Sequence, residues 1–192
     1  MIDKLLKPGS KSREIINYFR FLYLAFANHI VSRIPSYIIR EFFYRYMYGM
    51  KIGKNSHIQM GVRVYAPSKI KIGTNCSIGH GSLLDGRRGI EIGNYVDLAG
   101  YVRIFTLGHD LDDKEYKSTG AKVKIGDYAS LFTGVYVLPG RTIAEGTAVA
   151  LSSVVTKDTL PWSIYAGNPA KLIRARKIDN LTYERNYKRY FH

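Results

Sequence analysis

The sequence predicts an all-β solenoid, a coil of short parallel strands, and three observations support this prediction. Aliphatic residues recur at every sixth position, Ile-Gly pairs recur at 52, 72 and 92, and the one long interruption of the pattern is polar. A six-residue period fits neither a helix nor a flat strand, and it indicates stacked equivalent units. The aliphatic positions are Ile52, Ile58, Val64, Ile72, Ile78, Leu84, Ile92, Leu98, Ile104, Ile125, Leu131, Val137, Ile143, Val149 and Val155.

Residues 1–50 are predicted to form a helical segment that is rich in aromatic and basic side chains. Apolar residues recur at helical spacing before and after Pro35, which should break the segment into two helices. Two roles stay open for this segment. It can pack on the solenoid or a neighbouring subunit, or it can make peripheral contact with a membrane surface through residues 15–48.

Residues 51–170 are predicted to form the solenoid, with five to six triangular coils of about 18 residues each. Small residues four positions after an inward aliphatic residue should fill the corners, which gives Cys76 a packing role. The two additional residues of each 20-residue period, at 70–71 and 90–91, are interpreted as corner bulges. The small corner residues are Ser56, Cys76, Val96, Ala129, Thr147 and Ser153.

The interval from Ile92 to Ile125 is 15 residues longer than one coil requires. The surplus, residues 107–121, is polar and has no apolar period, so we expect a loop that protrudes from the solenoid. Loops on rigid scaffolds often carry functional residues. After the solenoid, residues 171–192 are predicted to form a basic C-terminal helix.

The composition limits the classes of partner and compartment. The 192 residues include 29 Lys and Arg against 15 Asp and Glu, and the excess is concentrated in the two terminal segments, which favours anionic partners. No nucleic-acid motif is present, so nucleic acid is not expected. No 18-residue apolar stretch and no signal peptide are evident, which predicts a cytoplasmic protein that can lie on the inner face of the membrane.

A metal site is not expected from the sequence. The single cysteine excludes a disulfide framework and a cysteine-based zinc cluster. His57 and His80 fall at repeat corners, and these histidines and His109 lack the close spacing of a zinc-binding set.

Two stretches resemble the hexapeptide-repeat acyltransferases, in particular the branch that O-acetylates sugars of bacterial surface polysaccharides. The first is Ile104–Asp110, with the sequence IFTLGHD; the second runs from Leu138-Pro139-Gly140 to the closing AGNPAK at 166–171. The resemblance covers residues 50–175. It implies a left-handed coil, a homotrimer with active sites between subunits, acetyl-CoA as acyl donor and a sugar or polysaccharide as acceptor.

The resemblance points to His109 as the catalytic base. A sugar hydroxyl is a poor nucleophile until its proton is removed, and histidine is the usual side chain for that task. Asp110 is expected to orient the ring or bind acceptor hydroxyls. Asp85 lies one coil before Phe105, where the loop begins, so it can bind the acceptor or cap its own corner.

The same resemblance assigns a donor site. Lys157, Lys171 and Arg174 would bind the phosphates of CoA, and Gly134, Ser152 and Ser153 would line the pantetheine channel. The sequence departs from the branch at 129–132, where ASLF replaces VWIG, and at 151–153, where LSS replaces AGS. These changes leave the identity of the acyl group open.

Two alternative functions stay open at this point. The first is N-acetylation of a nucleotide-linked amino sugar, with the same fold and base. The second is a catalytically weak solenoid that acts as a scaffold or binding subunit, which the altered channel favours.

Overall fold

In a computed structural model, the chain forms a parallel β-solenoid preceded by helices, and residues 10–179, 181 and 183 are described. Helix α1 is Lys11–His29 and begins at Ser10, whose hydroxyl accepts from the Arg13 amide at 3.4 Å. A 3₁₀ turn, Val31–Arg33, leads to Pro35, and helix α2, Tyr37–Phe42, continues as a π turn over Phe43–Met47. The predicted break at Pro35 is confirmed.

The solenoid has three faces, each a sheet of parallel strands stacked along the coil axis, and the second face ends in one antiparallel strand. The first sheet contains β1 (Lys51–Ile52), β4 (Ile70–Ile72), β7 (Ile90–Ile92), β12 (Val123–Ile125) and β15 (Thr142–Ile143). The second contains β2 (His57–Ile58), β5 (Ser77–Ile78), β8 (Asp97–Leu98), β13 (Ser130–Leu131), β16 (Ala148–Val149), β18 (Ser163–Ala166) and β19 (Lys171–Ala175). The third contains β3 (Arg63–Tyr65), β6 (Leu83–Asp85), β9 (Arg103–Ile104), β14 (Tyr136–Val137) and β17 (Val154–Val155).

The interior confirms the six-residue pattern. All fifteen aliphatic positions are buried, with exposed fractions of 0 to 7%. Their strands pair in register, so that Ile72, Ile92, Ile125 and Ile143 stack on one another from coil to coil. The six small corner residues are also buried. Each coil therefore buries its apolar face only against its neighbours, as expected of a solenoid.

Two predictions about local structure are wrong. Residues 70–71 and 90–91 do not bulge, because Ile70 and Ile90 are fully buried and pair in register in three-residue strands. The extra residues thus add inward apolar contacts. The C-terminal helix predicted over 171–192 is wrong at its start, since Lys171–Ala175 form strand β19, antiparallel to β18. The rest of the predicted helix beyond 179 lies outside the described residues, apart from Leu181 and Tyr183.

Both ends of the stack are covered. At the start, the fully buried Arg40 donates from Nη2 to the Ile58 carbonyl oxygen at 2.9 Å, and the Asn28 side chain exchanges two hydrogen bonds with the Val64 backbone at 2.8 and 3.0 Å. At the far end, β19 covers the last strand of the second sheet. Within the described part of the chain, no helix combines the length and apolar character needed to cross a bilayer.

Candidate active site

The predicted loop over 107–121 is a protruding β-hairpin. Strands β10 (Gly108–His109) and β11 (Ser118–Thr119) pair antiparallel, with His109 opposite Ser118. The Asp110 amide donates to the Lys117 carbonyl oxygen at 2.9 Å. None of residues 107–121 is buried, so the hairpin rests on its own short ladder and turn.

The His109 side chain is exposed, and its ring is held by Tyr116. His109 Nδ1 lies 2.8 Å from the Tyr116 carbonyl oxygen, and the two rings stack with centroids 4.3 Å apart and planes 7° apart. A carbonyl oxygen can only accept a hydrogen bond, so Nδ1 carries the proton. The neutral ring then presents the lone pair of Nε2, the atom that a general base uses.

Tyr116 is a residue that the sequence reasoning missed. Its backbone adopts a left-handed conformation, with φ of 51°, and its amide donates to the Asp113 carbonyl oxygen at 2.8 Å. That turn directs both the carbonyl oxygen and the ring of Tyr116 toward His109. The spacing of seven residues across a hairpin turn is the only signal that could have indicated the contact.

Asp110 has a partner within the turn. One carboxylate oxygen accepts from the Asp112 amide at 3.0 Å, and the residue is exposed. This contact stabilises the turn and occupies one of the two carboxylate oxygens.

Asp85 lies beside the point where the hairpin begins, as predicted, but its carboxylate is engaged. The residue is 1% exposed and forms a bidentate pair with Arg87, at 2.8 Å to Nε and 2.9 Å to Nη2. These hydrogen bonds raise the pKa of the Arg87 guanidinium above its ordinary value. The geometry matches the corner-capping alternative, and this corner presents the exposed Arg87 and Arg88 to solvent.

The base of the hairpin is fixed by Thr106 and Gly120. The buried Thr106 hydroxyl donates to the Asp85 carbonyl oxygen at 2.6 Å and accepts from the Arg88 amide at 2.9 Å. A Cβ on Gly120 would lie 2.2 Å from the Thr106 carbonyl oxygen, and Gly120 has φ of +156°. The returning strand therefore passes so close to the departing one that only glycine fits.

The predicted donor residues separate into two groups. Gly134 and Ser152 occupy adjacent coils at the corner between the second and third sheets, and a Cβ on Gly134 would meet the Ser152 hydroxyl at 3.4 Å. Ser153 instead is fully buried, and its hydroxyl accepts from the Gly167 amide at 3.0 Å. Ser153 thus has a structural partner, whereas Ser152 is exposed and Gly134 is half-buried at the same corner.

The three predicted cations are all exposed at the C-terminal end of the stack. Lys157 follows β17, and Lys171 and Arg174 lie on β19. Exposed Lys and Arg side chains fit the phosphates of a nucleotide. Two apolar side chains, Phe132 at 52% and Leu151 at 70% exposure, follow the second-sheet strands on the adjoining coils.

The two other histidines singled out in the sequence, His57 and His80, have local contacts. His57 Nδ1 lies 3.1 Å from a Glu41 carboxylate oxygen, and the His80 ring packs edge-on against Tyr101 with centroids 4.7 Å apart. Among the described residues, no three His, Cys, Asp or Glu side chains lie together as metal ligands.

Comparisons with known proteins extend over most of the chain. The family model described as "Hexapeptide repeat of succinyl-transferase" matches residues 69–100. WcaF of Escherichia coli (strain K12), named as a candidate colanic acid biosynthesis acetyltransferase, is 33% identical over 152 residues, which are 79% of this chain and 80% of WcaF.

Two solved structures resemble the chain. A maltose O-acetyltransferase from Clostridium difficile 630 has a TM-score of 0.71 and 28% identity, covering 84% of this chain and 86% of that one. The hexapeptide-repeat acetyltransferase VCA0836 of Vibrio cholerae O1 biovar eltor, complexed with acetyl-CoA, has a TM-score of 0.75 and 24% identity, covering 90% and 93%. The second likeness concerns the fold alone.

Proposed function

Because this chain belongs to the hexapeptide-repeat acyltransferases, we propose that it transfers an acetyl group from acetyl-CoA to a sugar hydroxyl of a bacterial surface polysaccharide or its precursor. The observation that carries this proposal is the His109 ring, whose Nδ1 proton is committed to the Tyr116 carbonyl oxygen at 2.8 Å. That bond leaves Nε2 as a base on an exposed hairpin, where an acceptor hydroxyl can reach it.

In this reaction His109 first accepts a proton and later donates it. Nε2 takes the proton of the acceptor hydroxyl as its oxygen attacks the thioester carbonyl carbon, and a C–O bond forms. The tetrahedral intermediate then collapses, the C–S bond breaks, and the imidazolium returns the proton to the departing sulfur. The products are the acetyl ester and CoA with a free thiol, and His109 is again neutral.

The donor would lie along the corner at Gly134 and Ser152, where both residues reach the surface. Acetyl-CoA supplies the activated carbonyl carbon, and the protein holds it in place. The glycine corner leaves room for a thin pantetheine arm beside the backbone. Lys157, Lys171 and Arg174 are exposed at the end of the stack, where they can pair with the CoA phosphates.

We also infer that the catalytic unit is a homotrimer with active sites between subunits. The hairpin carries His109 away from its own solenoid, and none of residues 107–121 is buried within one chain. Gly134 and Ser152 lie at a different corner from the hairpin base, so a hairpin from a neighbouring copy is suited to complete a donor site there. Active sites shared between copies explain why an exposed histidine can serve as a base.

The N-terminal helices favour an additional contact with an anionic membrane surface. Large apolar side chains of α1 and α2 are exposed, including Phe19 at 61%, Phe21 at 71% and Ile38 at 74%. Exposed apolar surface of this extent marks an interaction site. Between residues 10 and 50 there are six Lys and Arg against two Glu, which complements anionic headgroups.

Cosedimentation tests that contact. We expect the protein to pellet with vesicles that contain phosphatidylglycerol, to do so less at high salt, and to remain in the supernatant with pure phosphatidylcholine. Phe19→Glu should weaken the binding, while Leu111→Glu on the exposed hairpin serves as the matched control. A protein that stays in the supernatant at low salt, or that buries these residues in an oligomer instead, contradicts the membrane contact.

Release of free CoA thiol tests the main proposal. Purified protein with acetyl-CoA should release thiol only when a sugar acceptor is present, and mass spectrometry should find one acetyl group on the sugar oxygen. Acetylation of an amino sugar nitrogen would favour the N-acetyltransferase alternative. Absence of thiol release with every acceptor would favour a scaffold or binding subunit.

A further inference from the structure

We propose that a corner pocket bounded by Arg33, His80 and Tyr101 selects acceptors that carry a negative charge, a uronic acid carboxylate or a sugar phosphate. The inference rests on the proposed function, since it names the class of acceptor for that reaction. The pocket lies at the corner between the second and third sheets, in the first three coils.

The pocket has the size of a small-molecule site. Its volume is about 630 Å³, within the range usual for ligand pockets. Its lining is contributed by Arg33, Met60, Gly61, His80, Gly81 and Tyr101.

Glycines at this corner create the pocket wall. A Cβ on Gly81 would lie 2.5 Å from the Tyr101 ring, and a Cβ on Gly100 would lie 2.7 Å from the His80 ring. The missing side chains let the two rings cross the corner and pack edge-on with centroids 4.7 Å apart. Tyr101 is still 50% exposed, so a ligand can contact its ring and hydroxyl.

Arg33 is brought to this corner by the N-terminal segment. The Gly61 amide donates to the Ser32 carbonyl oxygen at 2.8 Å, which ties the 3₁₀ turn to the first coil. The Arg33 side chain is exposed, and its guanidinium makes no hydrogen bond or ion pair to another described residue. It is therefore a positioned cation that is available to a ligand.

Most of the lining surface is apolar, and the charged side chain among the lining residues, Arg33, is a cation. Neutral sugar hydroxyls are commonly bound by carboxylate and amide acceptors, yet no carboxylate lines this pocket. The lining offers instead a guanidinium, an imidazole and a phenol. A guanidinium fits carboxylate and phosphate oxygens in a bidentate geometry, and such charge-assisted hydrogen bonds are the strong ones.

The pocket and the proposed donor site at Gly134 and Ser152 lie along the same corner of the solenoid, between the second and third sheets. Backbone bonds link the corner coil by coil, from Tyr101 N to the His80 carbonyl oxygen at 2.8 Å and from Gly134 N to the Gly100 carbonyl oxygen at 3.0 Å. Gly81 and Gly134 are two coils apart, roughly 10 Å at the spacing of neighbouring strands. A sugar held at Arg33 would thus extend its hydroxyls toward a thioester held beside Gly134.

Matched pairs of acceptors test the inference. We would measure kcat/KM for acetylation of nitrophenyl glucuronide against nitrophenyl glucoside, and of glucose 1-phosphate against methyl glucoside. The wild-type protein should prefer the charged member of a pair. Arg33→Gln should lower kcat/KM for that charged acceptor about 10- to 100-fold while the neutral partner changes less than about twofold, and Arg33→Lys should recover part of the loss.

The matched control is Arg63→Gln, an exposed arginine on β3 that does not line the pocket, and it should affect both members of each pair equally. The acceptor pair whose kcat/KM ratio changes in Arg33→Gln shows whether the pocket prefers a carboxylate or a phosphate. Ligand-observed NMR with glucuronate and glucose 1-phosphate provides a readout that needs no turnover. Intact acetyl transfer with no charge preference, or an equal effect of Arg33→Gln on both members, would overturn the inference and leave the proposed function standing. A wild-type protein that transfers acetyl to none of these acceptors, yet binds the charged sugars selectively in the NMR experiment, would instead contradict the proposed function.

Discussion

The solenoid body and the hairpin at 107–121 are built on opposite principles. In the body, every inward aliphatic position is buried and each strand pairs with the same position one coil away. In the hairpin, no residue is buried, and the ladder is two residues long on each side. The body is thus held by long-range stacking. The hairpin is held by its own turn and by the contacts at its base, at Thr106 and Gly120.

This contrast predicts that the solenoid body determines the stability of the fold and that the hairpin determines catalytic activity. Substitutions in the body should change the free energy of unfolding, and substitutions in the hairpin should change activity with little effect on folding. The base of the hairpin, at Thr106 and Gly120, is the place where the two should be coupled, because the body and the hairpin share backbone contacts there.

The largest expected effect is on catalysis. His109→Ala should lower kcat about 10²- to 10⁴-fold, because it removes the general base, while the thermal midpoint stays close to that of the wild type. Acetyl transfer and thermal unfolding, measured on the same preparation, check this separation. An active His109→Ala protein would defeat the assignment of the base.

In the body, Leu98→Ala should destabilise the fold by about 2–5 kcal/mol, because the residue is fully buried and the truncation leaves a cavity. The matched control is Leu111→Ala in the hairpin, where the side chain is 81% exposed and the change should stay within about 0.5 kcal/mol. Denaturant unfolding measures both. Equal losses would mean that the hairpin belongs to the cooperative core.

At the shared base, Gly120→Ala should cost about 1–3 kcal/mol of stability, because a Cβ would meet the Thr106 carbonyl oxygen at 2.2 Å in a conformation that L residues rarely adopt. It should also reduce activity, since the hairpin would be displaced. Gly108→Ala is the control, because no atom lies within 4 Å of the added Cβ. If both variants behave like the wild type, the base of the hairpin does not couple the hairpin to the solenoid body.

The smallest effect should come from the ring that supports His109. Tyr116→Ala keeps the backbone carbonyl but removes the stacked ring, which contributes about 0.5–1.5 kcal/mol in aromatic pairs. We expect kcat to fall about 2- to 10-fold with an unchanged KM for acetyl-CoA. Tyr116→Phe retains the ring and should retain the rate; a loss as large as that of Tyr116→Ala would indicate a role for the hydroxyl instead.

The same contrast explains what the sequence could predict. The six-residue period could be predicted from the sequence because each inward residue, such as Leu84 or Leu98, occupies the same buried environment in successive coils. Strand β19 could not be predicted from the sequence, because Leu172 and its neighbours form a strand only by pairing with the edge of β18. Long-range pairing overrides local helix preference at that position.

The site was predictable in part. The motif and the polar surplus pointed to His109 on a protruding segment, but the contact with Tyr116 depends on a turn whose geometry no period encodes. The engagement of Asp85 by Arg87 likewise depends on the corner geometry, and Asp85-Gly86 gave only a turn signal. The pocket at Arg33 required knowing where the N-terminal segment meets the first coil.

The covered ends of the stack fix its length. A parallel solenoid without covers would present unpaired N–H and C=O groups at both ends, a template on which further copies could add as in amyloid fibrils. Here Asn28 and Arg40 occupy the backbone groups at one end, and the reversed strand β19 with its cations occupies the other. Covers of this kind oppose the addition of further strands to the ends of the repeating core.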